Sequence, residues 1–314
     1  MELSICIPTF NRNRQLDNCL NSILIASRNV KNLKFEVCIS DNASQDDVIP
    51  IIDKYKKELN IKINKNKKNL GFAVNALKSI NLASGKFAWF LGDDDLILPK
   101  TLEYLKKIFD ENSSVEYFFI NSYHLDVASL DDFSHPFDTA NLKNFKMKKI
   151  SSYPKNSLVN FWEIIDPNVS WEFLIGIFLS IFKRDKWLEN KQVLNLNDIE
   201  DTRVWSNFDN TCMNAKIIAS AFKNSKSYIC AKPLSVNLSG VREWGSLYPF
   251  VEIVRLPEAL DYYRKQGLNF FQYIYSKNYS LRNFFNYFIK ILIGGEKMGL
   301  HYIDFKNHFF KNLI

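Results

Sequence analysis

Short apolar runs alternate with amphipathic stretches through the first 125 residues of the chain. Five runs have the length and near-continuous apolar character of buried strands, and they cover residues 3–7, 35–40, 61–66, 86–91 and 115–123. Between them, apolar positions recur every three or four residues, as at Leu16, Leu20 and Ile23, which is the spacing of one helix face. This alternation predicts an α/β fold in which helices cover both faces of a mostly parallel sheet.

Three polar clusters directly follow predicted strands. They read PTFNR at residues 8–12, SDNAS at 40–44 and GDDD at 92–95. Parallel strands present their carboxyl ends along one edge of the sheet, and ligands bind at that edge in open α/β folds. We therefore expect the three clusters to form a single site, independently of any motif.

The pattern becomes less regular after residue 125. The segments that follow are an irregular stretch at 126–168, a long apolar run at 171–184, a helical pattern at 212–222 and a strand pattern at 227–238. From Leu256 the chain is helical, basic and rich in aromatic residues. These changes predict a core unit over residues 1–255, with halves at 1–125 and 126–255, and a helical C-terminal region over 256–314.

The C-terminal region contains an amphipathic helical pattern at residues 281–293. The apolar positions expected on one face are Leu281, Phe284, Phe285, Phe288, Ile291 and Leu292. From Asp261 onward there are eight basic and three acidic residues. A basic amphipathic helix suits the surface of an anionic membrane, whereas the same apolar stripe also fits packing on the rest of the chain or on a second copy. The sequence leaves both interpretations open.

Composition excludes several classes of protein. The 314 residues are 46% hydrophobic and 24% charged, which is the balance of an ordinary globular chain. The net charge of +7 is too mild to indicate a nucleic-acid partner, and it suits an anionic ligand or membrane surface. Five widely spaced cysteines without a C-x-x-C pair argue against a disulfide framework or a zinc site.

The expected location follows from the same features. Free cysteines favour a reducing compartment, the first residues lack a signal-peptide pattern, and no apolar run approaches the ~18 residues of a membrane span. We expect a cytoplasmic protein. The C-terminal pattern adds the alternative of peripheral attachment at the inner face of the cytoplasmic membrane.

The acidic turn at residues 92–95 suggests metal chemistry. Mg²⁺ and Mn²⁺ prefer oxygen ligands, and proteins often bind them with one or two carboxylates plus substrate phosphates. A solvated acidic turn is the alternative, because such turns are common at strand ends. The position of GDDD beside two other polar strand ends favours the metal interpretation.

Together, the three clusters resemble the family 2 glycosyltransferases of the GT-A type. The resemblance rests on SICIPTFNR at residues 4–12, EVCISDNAS at 36–44 and the segment from NLGF at 69 to GDDDLILP at 99. It is close over residues 3–125 and looser to about residue 245, and it is nearest to the branch of abequosyltransferase-like enzymes of bacterial surface-polysaccharide synthesis. The resemblance implies a GT-A fold and a metal-dependent, inverting transfer from a nucleotide-diphosphate sugar to a glycan or lipid-linked acceptor.

The resemblance also implies roles for individual residues in donor and metal binding. The residues matched to nucleotide binding are Pro8, Thr9, Asn11, Arg12, Asp41, Gly71, Asn75, Asp93 and Arg242. Asp41 would pair with the base, Asp93 would face the ribose and diphosphate, and Mn²⁺ or Mg²⁺ would bind among Asp93, Asp94 and Asp95. Which of these three is the main ligand stays open, because many relatives have the first acid where this chain has Gly92.

Several of these positions have structural alternatives. Arg12 and Arg242 offer a bidentate fork for phosphate, yet each is equally explained as a surface arginine. Asn69 and Asn75 either contact the nucleotide or cap local turns and helices.

The segment NDIEDTRVW at residues 197–205 resembles the later ED motif of the family. The resemblance makes Asp201 the general base that removes the proton of the acceptor hydroxyl. Asp198 is the competing candidate. A helix N-terminus would explain the acids at Asp198 and Glu200 without any catalytic role.

Two other classes of function share this kind of sheet. A dinucleotide-dependent oxidoreductase is disfavoured, because no G-x-G-x-x-G follows any predicted strand. A GT-A-like protein that binds nucleotide sugars without catalysis stays open from the sequence.

Overall fold

The computed structural model describes residues 1–28, 30–240 and 245–310. Within these residues the strands form one mixed sheet of ten. The strands are β1 Leu3–Thr9, β2 Phe35–Asp41, β3 Ile61–Lys65, β4 Phe87–Phe90, β5 Asp95–Ile97, β6 Tyr117–Asp126, β7 Lys148–Lys149, β8 Ser157–Asn160, β9 Ser180–Lys183 and β10 Lys226–Ser239.

The strand order along the sheet is β3-β2-β1-β4-β9-β6-β10-β5, with β7 beside β6 and β8 beside β10. The pairs β1–β2, β2–β3, β1–β4 and β6–β10 are parallel. β9 lies antiparallel between β4 and β6, and β5 lies antiparallel to β10. The predicted mostly parallel sheet is confirmed, and its first five predicted strands lie within a few residues of β1 to β4 and β6.

The helices of the described residues cover the sheet and continue beyond it. They are α1 Asn13–Ser27, α2 Ile49–Tyr55, α3 Phe72–Asn81, α4 Thr101–Glu111, α5 Arg184–Asn190, α6 Leu196–Ile199, α7 Phe208–Thr211, α8 Met213–Phe222, α9 Tyr248–Phe250, α10 Leu256–Gln266, α11 Phe270–Ser280 and α12 Phe284–Gly294. A π-helical turn at Val251–Arg255 joins α9 to α10. None of these helices is long and apolar enough to cross a membrane.

The main core lies between the sheet and its helices. All seven residues of β1 are buried, which explains why their sequence is almost continuously apolar. The aromatic rings of Phe182 and Trp187 stack at 4.4 Å in this core. Burial of rings of this size contributes roughly 1.5–3 kcal/mol per side chain.

The C-terminal region belongs to two packing clusters. Leu260 and Tyr263 of α10 are fully buried in the main core, and the Tyr263 hydroxyl donates to the Phe173 carbonyl at 2.7 Å. Ile291 of α12 belongs to a separate cluster with Phe250. α10 therefore packs in the same core as the residues before it. The domain boundary predicted at residue 255 stays a prediction that rests on the change in sequence pattern.

The predicted apolar face of residues 281–293 is wrong in detail, because α12 carries two apolar stripes. Phe284, Phe288 and Ile291 pack into the second cluster. Phe285 and Leu292, assigned to the same face, are 72% and 47% exposed, because an advance of one residue turns a helix by about 100°.

Candidate active site

The turns that follow β1 and β2 are joined by hydrogen bonds. The backbone N–H of Asn42 donates to the Thr9 carbonyl at 2.9 Å, and that of Asn11 donates to Ser44 Oγ at 2.8 Å. Asn11 and Ala43 have positive φ angles of 53° and 63°. Asn tolerates left-handed backbone, whereas Ala43 is strained there, and strained residues of this kind cluster at functional sites. The first two predicted polar clusters therefore meet at one edge of the sheet.

Asp41, at the end of β2, is fully buried and only half satisfied. Its Oδ1 accepts hydrogen bonds from the Ser44 N–H at 3.1 Å and the Ser44 hydroxyl at 2.5 Å. Its Oδ2 is buried and finds no hydrogen-bond partner among the described residues. A buried carboxylate oxygen left unpaired is costly, so Asp41 Oδ2 is an acceptor that lacks a donor in the described part of the chain.

The third cluster adjoins the first through Thr9 and Arg12. The Thr9 hydroxyl donates to Asp93 at 2.8 Å. Arg12 Nη1 lies 3.3 Å from an oxygen of Asp93 and 3.2 Å from one of Asp94. Burial, followed by the charge of Asp94, raises the pKa of Asp93 to about 7. Arg12 carries one positive charge, so a net negative charge remains when both Asp93 and Asp94 are ionised.

Asp95 has a different role in the same turn. Its Oδ2 accepts from the Gly92 N–H at 2.9 Å, and its Oδ1 accepts from Asn237 Nδ2 of β10 at 2.7 Å. A Cβ at Gly92 would lie 2.7 Å from a carboxylate oxygen of Asp94 and 2.8 Å from one of Asp95. An acidic residue at position 92 would therefore disturb this turn, and Asp93 and Asp94 face the Arg12 side.

The side chains of this turn are the donors available to the predicted metal. The described residues contain no group of three or more His, Cys, Asp or Glu side chains arranged to hold a metal. The two carboxylates of Asp93 and Asp94 nevertheless fit Mg²⁺ or Mn²⁺, which often use one or two carboxylates plus substrate phosphates. Asp95 is the weaker candidate, because both of its oxygens already accept hydrogen bonds from the protein.

Asn75 joins the first two strands. Its Nδ2 donates to the carbonyls of Ser40 at 2.9 Å and Thr9 at 3.3 Å, and its Oδ1 accepts from Ser40 Oγ at 2.8 Å and from Asn66 Nδ2 at 2.9 Å. The residue is buried, and these bonds hold the ends of β1 and β2 together. Its contact with a nucleotide stays a prediction.

Asn69 and Gly71 shape the loop before α3. Asn69 Oδ1 accepts from the Gly71 N–H at 2.8 Å, so Asn69 stabilises a turn, as one of its two interpretations proposed. Gly71 has φ +80°, and a Cβ there would lie 3.4 Å from Thr202 Cα and 3.5 Å from the Asp201 carbonyl oxygen. Asp201 is therefore carried by a loop that packs on the predicted nucleotide-binding half.

The carboxylate of Asp201 forms a bidentate ion pair with Arg203. Arg203 Nε lies 3.0 Å from Oδ1, and Nη2 lies 2.7 Å from Oδ2. Ser206 Oγ donates to Oδ2 at 2.7 Å. The hydrogen bonds from Arg203 hold the pKa of this carboxyl well below its usual range. Asp201 is therefore ionised at neutral pH, and while this ion pair is intact it is a weaker base than a free aspartate.

The two neighbouring acids differ in their relation to α6. Asp198 lies in the first turn of this four-residue helix, as the helix-terminus interpretation proposed. Glu200 follows the last residue of α6, so that interpretation is wrong for Glu200. The choice of Asp201 over Asp198 as base stays a prediction.

Several residues of this edge were not singled out from the sequence. Ser44 holds Asp41, Asn237 holds Asp95, and Arg203 holds Asp201. Ser44 and Arg203 lie within three residues of the predicted site residues Asp41 and Asp201, and this proximity is the sequence signal that could have identified them. Pro8 is buried in β1 opposite Ser40, and Arg242 lies outside the described residues.

Comparisons with known proteins identify relatives for the first half of the chain. The family model described as glycosyl transferase family 2 matches residues 4–160. The abequosyltransferase RfbV of Salmonella typhimurium is 38% identical over 117 residues, which are 37% of this chain and 34% of the relative. The poly(ribitol-phosphate) beta-N-acetylglucosaminyltransferase TarS of Staphylococcus aureus is 30% identical over 115 residues, 36% of this chain and 20% of the relative. The matches thus span about a third and a fifth of these relatives.

Solved structures extend the similarity of fold to most of the chain. TarS residues 1–349 in complex with UDP superpose with a TM-score of 0.60 at 16% identity, covering 91% of this chain and 72% of that one. The mannosyltransferase PcManGT of Pyrobaculum calidifontis, in complex with GDP-Man and Mn²⁺, gives 0.54 at 15% identity, covering 94% and 76%. The predicted GT-A-like fold is confirmed. The family model covers half of the sequence, and the chain belongs to glycosyl transferase family 2.

Proposed function

We propose that this protein is a metal-dependent, inverting glycosyltransferase. It transfers a sugar from a nucleotide-diphosphate sugar to a glycan or lipid-linked acceptor in bacterial surface polysaccharide or oligosaccharide synthesis. The observation that supports this most directly is the unpaired, buried Oδ2 of Asp41 beside the Thr9–Arg12–Asp93–Asp94 cluster at one sheet edge. Relatives and structural neighbours include a transferase solved with UDP-GlcNAc and another solved with GDP-Man and Mn²⁺.

The donor lies across the ends of β1, β2 and β4 in this proposal. The base donates an N–H to Asp41, and Asp93 contacts the ribose and diphosphate side. Asp93 and Asp94 would hold Mn²⁺ or Mg²⁺, which would supply positive charge to the diphosphate as its bond to the sugar breaks. Arg12 already neutralises part of the carboxylate charge, and its fork geometry also suits a phosphate.

Asp201 accepts the proton of the acceptor hydroxyl. Inversion requires the acceptor to attack from the face opposite the diphosphate, with the base beside the attacking oxygen. The ion pair with Arg203 keeps Asp201 ionised and weakens its affinity for a proton. Movement of the exposed Arg203 side chain away from Asp201 restores ordinary basicity, because the opposite charge that favoured the ionised form is gone.

A thermal-shift screen tests the donor site. We expect one class of nucleoside diphosphate, from a panel of UDP, GDP, CDP and dTDP with Mn²⁺, to raise the melting temperature by mass action. Asp41→Asn should weaken that nucleotide about 10- to 100-fold, because a hydrogen bond to a charged acceptor contributes roughly 1.5–3 kcal/mol.

The control for this screen is Asp47→Asn, six residues along the same loop and paired with Lys65 at the surface. It should bind the nucleotide like the wild type. If no nucleotide stabilises the protein, or if Asp41→Asn binds as well as the control, the donor-site assignment is wrong.

In our proposal the C-terminal helices place the reaction at a membrane surface. Of α12, Phe285 is 72%, Ile289 is 54% and Ile293 is 83% exposed, although the opposite stripe of the helix is packed. Lys290 on the same helix is exposed, and basic residues outnumber acidic ones by eight to three from Asp261 onward. We propose that this outer stripe lies on the anionic inner face of the cytoplasmic membrane, where a lipid-linked acceptor would be presented.

Co-sedimentation with vesicles tests the membrane contact. We expect the protein to bind phosphatidylglycerol-containing vesicles at low salt, to bind less at high salt and to ignore phosphatidylcholine alone. The double variant Phe285→Ser with Ile289→Ser should lose this binding, since it removes exposed apolar area and keeps Phe284, Phe288 and Ile291 of the packed stripe in place. The matched control changes Leu158 and Leu196, which are 65% and 69% exposed elsewhere, to Ser.

Either of two results would contradict the membrane contact. One is the absence of vesicle binding by the wild type at low salt. The other is a concentration-dependent dimer that the Phe285 and Ile289 substitutions disrupt, which would assign the stripe to a second copy of the chain.

A further inference from the structure

Arg255 is a buried arginine at the junction between the sheet domain and the C-terminal helices. It ends the π-helical turn before α10 and is only 2% exposed. A buried guanidinium is costly unless its charge is paired and its N–H groups are satisfied. The identity of its partners therefore indicates what the residue holds in place.

The guanidinium connects two parts of the chain. Nη2 donates to the carbonyls of Trp205 at 3.0 Å and Ser206 at 2.9 Å. Nη1 pairs with Glu258 at 2.6 Å, and the other oxygen of Glu258 lies 3.0 Å from His308 Nε2. Glu258 and His308 of the C-terminal region thus orient the arginine that holds the loop at residues 205–206.

The loop that Arg255 holds at residues 205–206 is the loop that carries Asp201. Ser206 Oγ donates to the Asp201 carboxylate at 2.7 Å, and Asn210 Nδ2 donates to the Asp201 and Arg203 carbonyls at 3.1 and 3.0 Å. Trp205 has φ +58°, a conformation that persists in a bulky residue only when the surroundings enforce it. The hydrogen bond from Arg255 to the Trp205 carbonyl is one such restraint.

We infer that Arg255 is a positioning residue for Asp201 and that Glu258 and His308 orient Arg255 in turn. This inference rests on the proposed function for the role of Asp201. Arg255 does not contact the reacting groups. It sets where the carboxylate stands relative to the acceptor hydroxyl, and a misplacement of about 1 Å costs on the order of a hundredfold in rate.

Arg184 offers a matched control. Its Nε and Nη1 donate to the carbonyls of Gly85 and Ala83, both at 3.1 Å. One guanidinium thus binds two backbone carbonyl oxygens here, as in Arg255. These carbonyls precede β4 and lie at the amino edge of the sheet, away from the acidic turn. Arg255→Lys and Arg184→Lys each keep the charge and lose the fork.

Hydrogen exchange of the ligand-free variants tests the positioning. We expect amides of residues 201–207 to exchange at least about tenfold faster in Arg255→Lys, because fewer bonds restrain the loop, and to be unchanged in Arg184→Lys. If the two variants exchange alike at 201–207, the inference is wrong. This readout needs no donor, so it decides the loop's restraint even if the proposed function fails.

Turnover in the same variants tests the consequence for catalysis. With the nucleotide sugar that the wild type uses, kcat should fall about 10- to 100-fold in Arg255→Lys with little change in donor KM, and it should fall further in Arg255→Met. Arg184→Lys should keep the wild-type kcat. A loosened loop with an unchanged kcat would overturn the positioning role, whereas a wild type that turns over no donor would refute the proposed function instead.

Discussion

Asp201→Asn is expected to lower turnover about a hundredfold or more, the usual contribution of a positioned general base. An amide keeps the shape of the side chain and accepts a hydrogen bond, but it cannot take the proton of the acceptor. Donor binding should change little, because Asp201 acts on the attacking hydroxyl rather than on the nucleotide. Steady-state kinetics with separate determination of kcat and donor KM measures both effects.

Asp198→Asn is the matched control for this prediction. Asp198 lies three residues earlier, in the first turn of α6, and its carbonyl accepts from Asn207 Nδ2 at 2.9 Å. Its substitution should leave kcat near the wild-type value. An unimpaired Asp201→Asn together with an inactive Asp198→Asn would transfer the role of base to Asp198.

Asp94→Asn is expected to lower turnover about a hundredfold to a thousandfold, since cation stabilisation of a leaving diphosphate is worth several kcal/mol. The fold should persist, because the substitution removes one of two adjacent buried carboxylates that repel each other and share a single guanidinium. Asp93→Asn should have an effect of similar size. Activity assays paired with melting curves separate the loss of function from unfolding.

Chelation and a surface control complete this test. EDTA should abolish activity of the wild type, and added Mn²⁺ should restore it. Asp110→Asn, at a half-exposed carboxylate paired with Lys106, should behave like the wild type. Activity that survives both EDTA and the substitutions at Asp93 and Asp94 would show that the acidic turn does not bind a catalytic metal.

The sheet was predictable where burial dictates composition. β1 and β2 lie inside the sheet with helices on both faces, so their residues are almost all apolar and the pattern is plain. β9 was missed because it forms the end of the apolar run at 171–184, in which Phe173 and Leu174 adopt positive φ angles of 44° and 73°. Apolar periodicity carries no information about such a backbone.

The location of the site could be predicted from the sequence, but the contacts between its side chains could not. Strand-end polarity located the turns containing Thr9, Asp41 and Asp93, because parallel strands share one carboxyl edge. The distinct role of Asp95 depends on Asn237, which is 142 residues away on β10. No local pattern encodes a pairing over that distance.

The restraint on Asp201 was hidden for a similar reason. Arg203 lies two residues away and belongs to the same quoted segment, yet its ion pair with Asp201 follows from the loop's conformation rather than from spacing. Arg255 lies 54 positions along the chain from Asp201. Only the packing of α10 against the core brings Arg255 to the loop that carries Asp201.

The most direct test of nucleotide-sugar transfer is the release of free nucleoside diphosphate by the wild-type protein. The assay uses a panel of UDP-, GDP-, CDP- and dTDP-sugars, with Mn²⁺ or with EDTA, and compares the wild type with Asp94→Asn. We predict slow release from one donor class in Mn²⁺, with water as acceptor, and its loss in EDTA and in the variant. A protein that binds a nucleotide sugar yet releases no nucleoside diphosphate in Mn²⁺, with or without added glycan and lipid-linked acceptors, would contradict the account and identify a binding protein without catalysis.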